Sequence, residues 1–108
     1  MLFLVPTGGP LTTEELDRVL RRIISTAVIK VSAHNIAPGF LLRLVTEHGA
    51  GGVVLYHGFP DAVEPILQKY PQLTILYLSL QHGRPSSYTR CSWDGRRAIY
   101  ATHVLLPE

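Results

Sequence analysis

The sequence predicts an α/β protein: a small three-layer, Rossmann-like sandwich with a mainly parallel sheet and a C-terminal β-hairpin. Three observations lead there. Apolar runs of strand length alternate with segments of helical periodicity over short loops, which is the pattern of βα units joined by crossovers. The opening 24 residues spell one such unit in full. At the other end of the chain, Asp94-Gly95 sits between two β-rich runs and signals a hairpin. A ferredoxin-like sheet, the competing arrangement, wants fewer helices and antiparallel strands. None of these signals encodes the order of the strands.

The first strand is Leu2, Phe3, Leu4 and Val5, followed by a Gly-containing turn, Pro6 to Pro10. Thr12 is a good N-cap and Glu15 stands three residues later, a capping box; Leu11 and Leu16 are placed for a hydrophobic staple. Leu16, Val19, Leu20, Ile23 and Ile24 form one apolar helix stripe. Ala27 to Ser32 reads as the second strand. Asn35 caps a second helix with Pro38 in its first turn, Ile36, Phe40, Leu41, Leu44 and Val45 on one face, and its end near Gly49. Val53 to Tyr56 is the third strand. Asp61, with Glu64 at the capping-box position, opens a short helix whose inner face is Ala62, Ile66, Leu67 and Tyr70; Pro71 ends it. Leu73 to Leu80 is the fourth strand and the longest, and Gln81 to Ser87 is a loop without periodicity. Tyr88 to Trp93 and Arg96 to Thr102 pair across a two-residue type I′ turn at Asp94-Gly95, because both central positions of that turn need positive φ. Val104, Leu105 and Leu106 form a tail able to dock.

A chain of 108 residues is one domain, 1–108, with a real but modest core, so self-association is expected. The apolar fraction of 46% against 17% charged residues points the same way, towards a buried self-interface. A net charge of +2 is too small to steer a long nucleic acid. Lone Cys91 excludes an internal disulfide and a multi-Cys zinc site, and suits a reducing cytoplasm. No apolar run approaches a membrane span, and the N-terminus lacks the basic region of a signal peptide. The expectation is a soluble, cytoplasmic protein.

Open α/β sheets place ligands at the C-terminal ends of their strands, beside helix N-termini. Four of the five histidines fall at or just after strand ends: His34, His57, His82 and His103. Around them lie Thr7, Gly8, Gly9, Ser32, Asn35, Gly58, Gln81, Gly83, Arg84 and Thr102. Asp61 is the lone carboxylate there. Such an edge suits an anionic ligand such as a phosphodiester and not magnesium, which wants carboxylates. No metal or cofactor is expected, since the histidine spacing matches no zinc motif and Thr7-Gly8-Gly9 is neither a P-loop nor GxGxxG. Strand-end turns also carry Gly, Asn, Ser and His for backbone reasons alone. Arg18, Arg21 and Arg22 fall on the outer face of the first helix, where solvation and pairing with Glu14 and Asp17 account for them. Arg84, Arg90, Arg96 and Arg97 surround the C-terminal loop and hairpin, either as phosphate contacts or as charges guarding a sheet edge. Cys91, mid-strand with no base beside it, reads as a buried inert thiol.

The opening MLFLVPTGGPLTTEEL resembles the starts of small ancillary proteins of type III CRISPR systems, and Ala98 to Thr102 resembles a late strand of the same group. Together these segments cover about a quarter of the chain. The resemblance implies a Rossmann-like homodimer or higher homo-oligomer. Its ligand would be a cyclic oligoadenylate, an anionic cyclic oligonucleotide, held over a two-fold axis. Some members cut the ring without metal, by aiming a ribose 2′-OH at its phosphorus; others sequester it. The matched positions are Thr7, Gly8, Gly9 and Thr102. The strand-end reading adds Ser32, His34, Asn35, Gly58, Gln81 and Arg84 as ligand contacts, with His57 and His82 as acid–base candidates. Two other classes fit the residues. One is an interaction module with no small-molecule site. The other is a different small α/β enzyme with His57 or His82 as general base.

Overall fold

The computed structural model describes residues 1–7, 10–32, 38–55 and 63–105. The described residues form six strands and three helices, the helices alternating with the first four strands: β1 (Phe3–Thr7), α1 (Thr13–Ile23), β2 (Val28–Ser32), α2 (Pro38–His48), β3 (Gly52–Leu55), α3 (Val63–Lys69), β4 (Thr74–Gln81), β5 (Arg84–Trp93) and β6 (Ala98–Val104). They build one sheet in the order β2-β1-β3-β4-β5-β6. The first four strands are mutually parallel, whereas β5 and β6 add antiparallel. The α/β class and the C-terminal hairpin agree with the sequence. No helix among the described residues is long and apolar enough to cross a membrane.

Local signals set the helix ends. The Thr12 hydroxyl accepts from the Glu15 N–H and the Glu15 carboxylate accepts from the Thr12 N–H, both at 3.1 Å, so the capping box is closed. Leu11 and Leu16, the staple pair, are both buried in one cluster. Helix α2 ends in a Schellman motif: Ala50 N–H donates to Val45 C=O at 3.0 Å, Gly49 N–H to Thr46 C=O at 3.3 Å, and Gly49 takes φ 62°. That left-handed position is cheap only for glycine. The Asn35 and Asp61 caps, together with Ile36 and Ala62, lie outside the described residues. The inner face of α3 is Val63, Ile66 and Leu67, all buried.

Strand alternation sends side chains to both faces. Phe3, Val5, Val54, Leu76 and Leu78 pack under Leu16, Val19 and Leu20 of α1. Leu4, Val53, Leu55, Ile75 and Cys91 pack under Leu44 and Val45 of α2 and Val63, Ile66 and Leu67 of α3. Truncating a fully enclosed residue such as Leu67 removes transfer energy and leaves a cavity, about 2–5 kcal/mol together.

Two expectations are corrected at the C-terminal end. Gln81 to Ser87 is not an aperiodic loop. Gln81 and Arg84 are the last ladder pair of a β4–β5 hairpin, with His82 (φ 53°) and Gly83 (φ 77°) as its two-residue turn. Both central residues at positive φ are what a type I′ turn requires, and His tolerates that region better than most residues. The register shifts between Ser79 and Leu80, so Ser86 is an extra residue on β5, a bulge whose hydroxyl donates to Ser79 C=O at 3.2 Å. The second correction concerns Asp94-Gly95, which is not a two-residue turn. Trp93 pairs with Ala98, leaving a four-residue loop in which the Asp94 carboxylate accepts from the N–H groups of Arg96 and Arg97, both at 2.8 Å. The side chain thus closes the turn through hydrogen bonds that no I′ geometry supplies. In the tail Leu105 packs against the α1 cluster, Val104 is 75% exposed, and Leu106 is outside the described residues.

Gly52 shows how tightly β1 meets β3. A Cβ placed there would stand 2.3 Å from the Phe3 ring, whereas one at Gly51 would meet only the exposed Met1 side chain. Gly52→Ala should therefore lower the unfolding free energy by about 1–3 kcal/mol, and Gly51→Ala should stay within about 0.5 kcal/mol of the parent. Urea denaturation followed by circular dichroism measures both.

Candidate functional site

Helix α1 carries two neighbouring stripes. Leu16, Val19, Leu20 and Ile23 face the sheet. Glu15, Arg18, Val19 and Arg22, spaced i, i+3, i+4 and i+7, run alongside on the flank that looks towards the β4–β5 hairpin. In the described pairing β3 faces β4 as far as Leu55–Tyr77, while β4 runs four residues further, to Gln81. This last stretch of β4 is about 13 Å long. The hairpin it forms stands up beside α1, and the space between them is a cleft of about 750 Å³.

Glu15, Arg18, Val19 and Arg22 line one wall; Gln81, His82, Arg84, Pro85 and Ser86 line the other, with Val104 and Leu105 beneath. Among the described residues, three guanidinium groups and an imidazole thus share the cleft with one carboxylate. That carboxylate is already committed. The Thr12 N–H, then the Thr12 hydroxyl, then the charges of Arg18 and Arg84 hold Glu15 below its ordinary value, so it stays ionised well into acid. The sign follows: its capping contribution is complete above the ordinary carboxylate range and fades only as pH falls through the lowered value. Arg18, Arg22, His82 and Arg84 are exposed, so the cleft is wet and its field is screened within a Debye length of about 10 Å. Arginine forks bind phosphate in two-pronged fashion, and the Gln81 amide adds a neutral donor, whereas the Ser86 hydroxyl is spent on Ser79 C=O.

The sequence-based site is gathered only in part. Gln81, His82 and Arg84 meet in the cleft. Thr7 and Ser32 end β1 and β2 as partners in register, with β3 lying between them and β4, and the Thr7 hydroxyl donates to Val31 C=O at 3.3 Å. Thr102 stands in the sheet row Tyr77–Thr89–Thr102, its hydroxyl 3.0 Å from that of Thr89. It shares the α3 side with Cys91 and Trp93 by alternation, away from the cleft. His103 is stacked on Tyr88, ring centroids 4.9 Å apart. Gly8, Gly9, His34, Asn35, His57 and Gly58 lie outside the described residues. The C-terminal arginines are also split: Arg84 and the Arg96–Arg97 loop occupy opposite ends of β5, ten residues or about 30 Å apart.

Arg18 and Arg22 were the residues that sequence reasoning left to solvent. The signal that finds them is the i, i+3, i+4, i+7 stripe Glu15-Arg18-Val19-Arg22 bordering the apolar one. Among the described residues no group of three or more His, Cys, Asp or Glu side chains is placed to hold a metal ion. Cys91 is buried and its Sγ contacts Thr89 C=O at 3.8 Å; burial pushes the thiol up to about 11. It is not a nucleophile in this state.

Comparison with family models, with curated proteins and with solved structures finds no match for this chain. The cleft is therefore read from its own chemistry.

The Cys91 assignment has a direct check. Ellman's reagent at pH 8 should label the native thiol about 100-fold more slowly than the thiol of the protein in denaturant. Equal rates would show an accessible, reactive cysteine.

Proposed function

We propose that the chain binds a cyclic oligoadenylate in the cleft between α1 and the β4–β5 hairpin, and sequesters the ring or cleaves it slowly, in type III CRISPR antiviral signalling. The observation that carries the reading is the convergence of Arg18, Arg22, His82 and Arg84, from two separate elements, on one cleft whose one acid among the described residues is committed to the α1 cap. A ligand with several phosphates and no need for a metal matches that wall chemistry. The opening and late-strand resemblance supplies the ring and the adenine. Helices on both faces of a largely parallel sheet support a Rossmann-like description of the fold.

Cleavage on this site is metal-free. A ribose 2′-oxygen attacks the adjacent phosphorus, the P–O5′ bond breaks, and the proton of the 2′-OH ends on the departing 5′-oxygen. The product carries a 2′,3′-cyclic phosphate. His82, on a hairpin tip beside Arg84, is placed to relay that proton while the arginines stabilise the equatorial oxygens. Its position on a wet rim suits slow turnover or none.

Isothermal titration with cyclic tetra- and hexa-adenylate tests the reading. Heat of binding is expected with at least one ring, with log affinity falling against log salt at a slope of about −2 for three arginine–phosphate contacts. Arg84→Ala should weaken binding about tenfold or more. His82→Ala should keep the affinity and abolish any turnover. No heat and no thermal shift with either ring overturns the proposal.

A further inference from the structure

The two outer strands of the sheet, β2 and β6, are built differently. Strand β2 has five residues and carries exposed Lys30, ion-paired with Asp17 of α1. A charge of this kind is the usual guard against strand addition. Strand β6 has seven residues, Ala-Ile-Tyr-Ala-Thr-His-Val, with no Lys, Arg, Asp, Glu, Pro or Gly. It pairs with β5 from Ser87–Val104 to Trp93–Ala98 without a register shift, so no bulge turns its edge away. Ile99 is 45% exposed, Tyr100 53% and Val104 75%, and no described strand pairs with its outer side. Among the described residues, β6 carries no edge charge, proline or bulge, and no strand pairs with its outer side.

We propose that β6 is the interface with a second copy of this chain, joined edge to edge and antiparallel about a two-fold axis through Ala101. Two copies of one strand related by a two-fold pair antiparallel only when that axis is perpendicular to the sheet. Both α1 faces then lie on the same side of a sheet of doubled width. Centring on Ala101 uses all seven residues. It sets Ala98 against Val104, Ile99 against His103 and Tyr100 against Thr102, with the smallest side chain at the axis where it meets itself. Tyr against Thr is an aromatic–β-branched pair of the kind that stabilises antiparallel ladders. No like-charged side chains are opposed. The outward N–H and C=O groups of β6 are satisfied, and the partner strand covers the near flank of Ile99 on one face and of Tyr100 and Val104 on the other. A foreign strand would have to reproduce this register by chance, whereas the second copy carries it by symmetry.

The arrangement differs from the one that the resemblance implies. The clefts sit at Val104 and Leu105, towards opposite ends of the shared seam, and not over the axis. Arg97 of the partner subunit comes opposite Leu105, beside the basic cleft. The self-association stands whether or not that cleft takes a phosphodiester.

Sedimentation equilibrium on the full chain tests it. The parent should show twice the 12.0 kDa protomer mass. Ala101 is exposed, so a charge there leaves the folded protomer intact, as circular dichroism will show. A101K and A101E each oppose like charges at the axis and should weaken the dimer about 100-fold or more. An equal mixture of the two should restore it. Hydrogen exchange on the parent gives a readout without mutation: β6 amides should be protected at high concentration and lose protection on dilution. A monomeric parent at about 100 μM, a dimer indifferent to both variants, or β6 exchange independent of concentration overturns the proposal.

Discussion

The structure depends on the two-sided burial of β4. Thr74, Ile75, Leu76 and Leu78 are buried, with Ile75 under α2 and α3 and Leu76 and Leu78 under α1. A strand enclosed on both faces cannot shift register by one residue without exchanging both of its faces. It therefore fixes β3 on one side and β5 on the other. It is also where the sheet changes character: β3 joins it parallel, β5 antiparallel. Parallel strands need a crossover helix, but an antiparallel neighbour needs only a tight turn. After β4 the chain makes that turn at His82-Gly83, and the described residues that follow are strands. Among the described residues α1 is the helix packed on that side of the sheet, and the cleft lies between it and the hairpin.

Its chemistry follows from that geometry. A helix flank supplies two arginines one turn apart; the hairpin supplies a third, with a histidine at its tip. Glu15, the acid among the described lining residues, is bound into the α1 cap, so it orders the helix start and offsets only part of the positive charge. Exposed guanidinium groups attract anions weakly one at a time. On the proposed function, three around one cleft act together on a polyanion, and salt weakens all of the contacts at once.

How much of this was legible in the sequence depends on whether the signal was local. Helix α1 was legible in full, because Thr12, Glu15 and Leu11 state its start and its apolar stripe states its face. The end of α2 was legible because a left-handed residue calls for Gly49. The β4–β5 hairpin was not: His-Gly is an uncommon pair for a I′ turn, and the bulge at Ser86 breaks the alternation that marks a strand. Asp94-Gly95 pointed to the right motif with the wrong turn, since Asp94 uses its side chain where a I′ turn uses only the backbone. Arg18 and Arg22 are exposed, as the sequence implies, but their place in a cleft was illegible for a different reason. Which element stands beside that helix flank is decided by the β4–β5 hairpin some sixty residues later, and no window around α1 holds that information.

The central claim is that a phosphodiester ring sits between α1 and the β4–β5 hairpin. Nuclear magnetic resonance of the labelled protein during addition of cyclic tetra-adenylate tests it most directly. Shifts are expected at the arginine side-chain signals of Arg22 and Arg84 and at the backbone amides of Gln81 to Ser86, while Val5 and Ile29 stay still. A spectrum that shifts at the ends of β1 and β2 and leaves the hairpin unmoved, or that does not shift at all, would contradict the account.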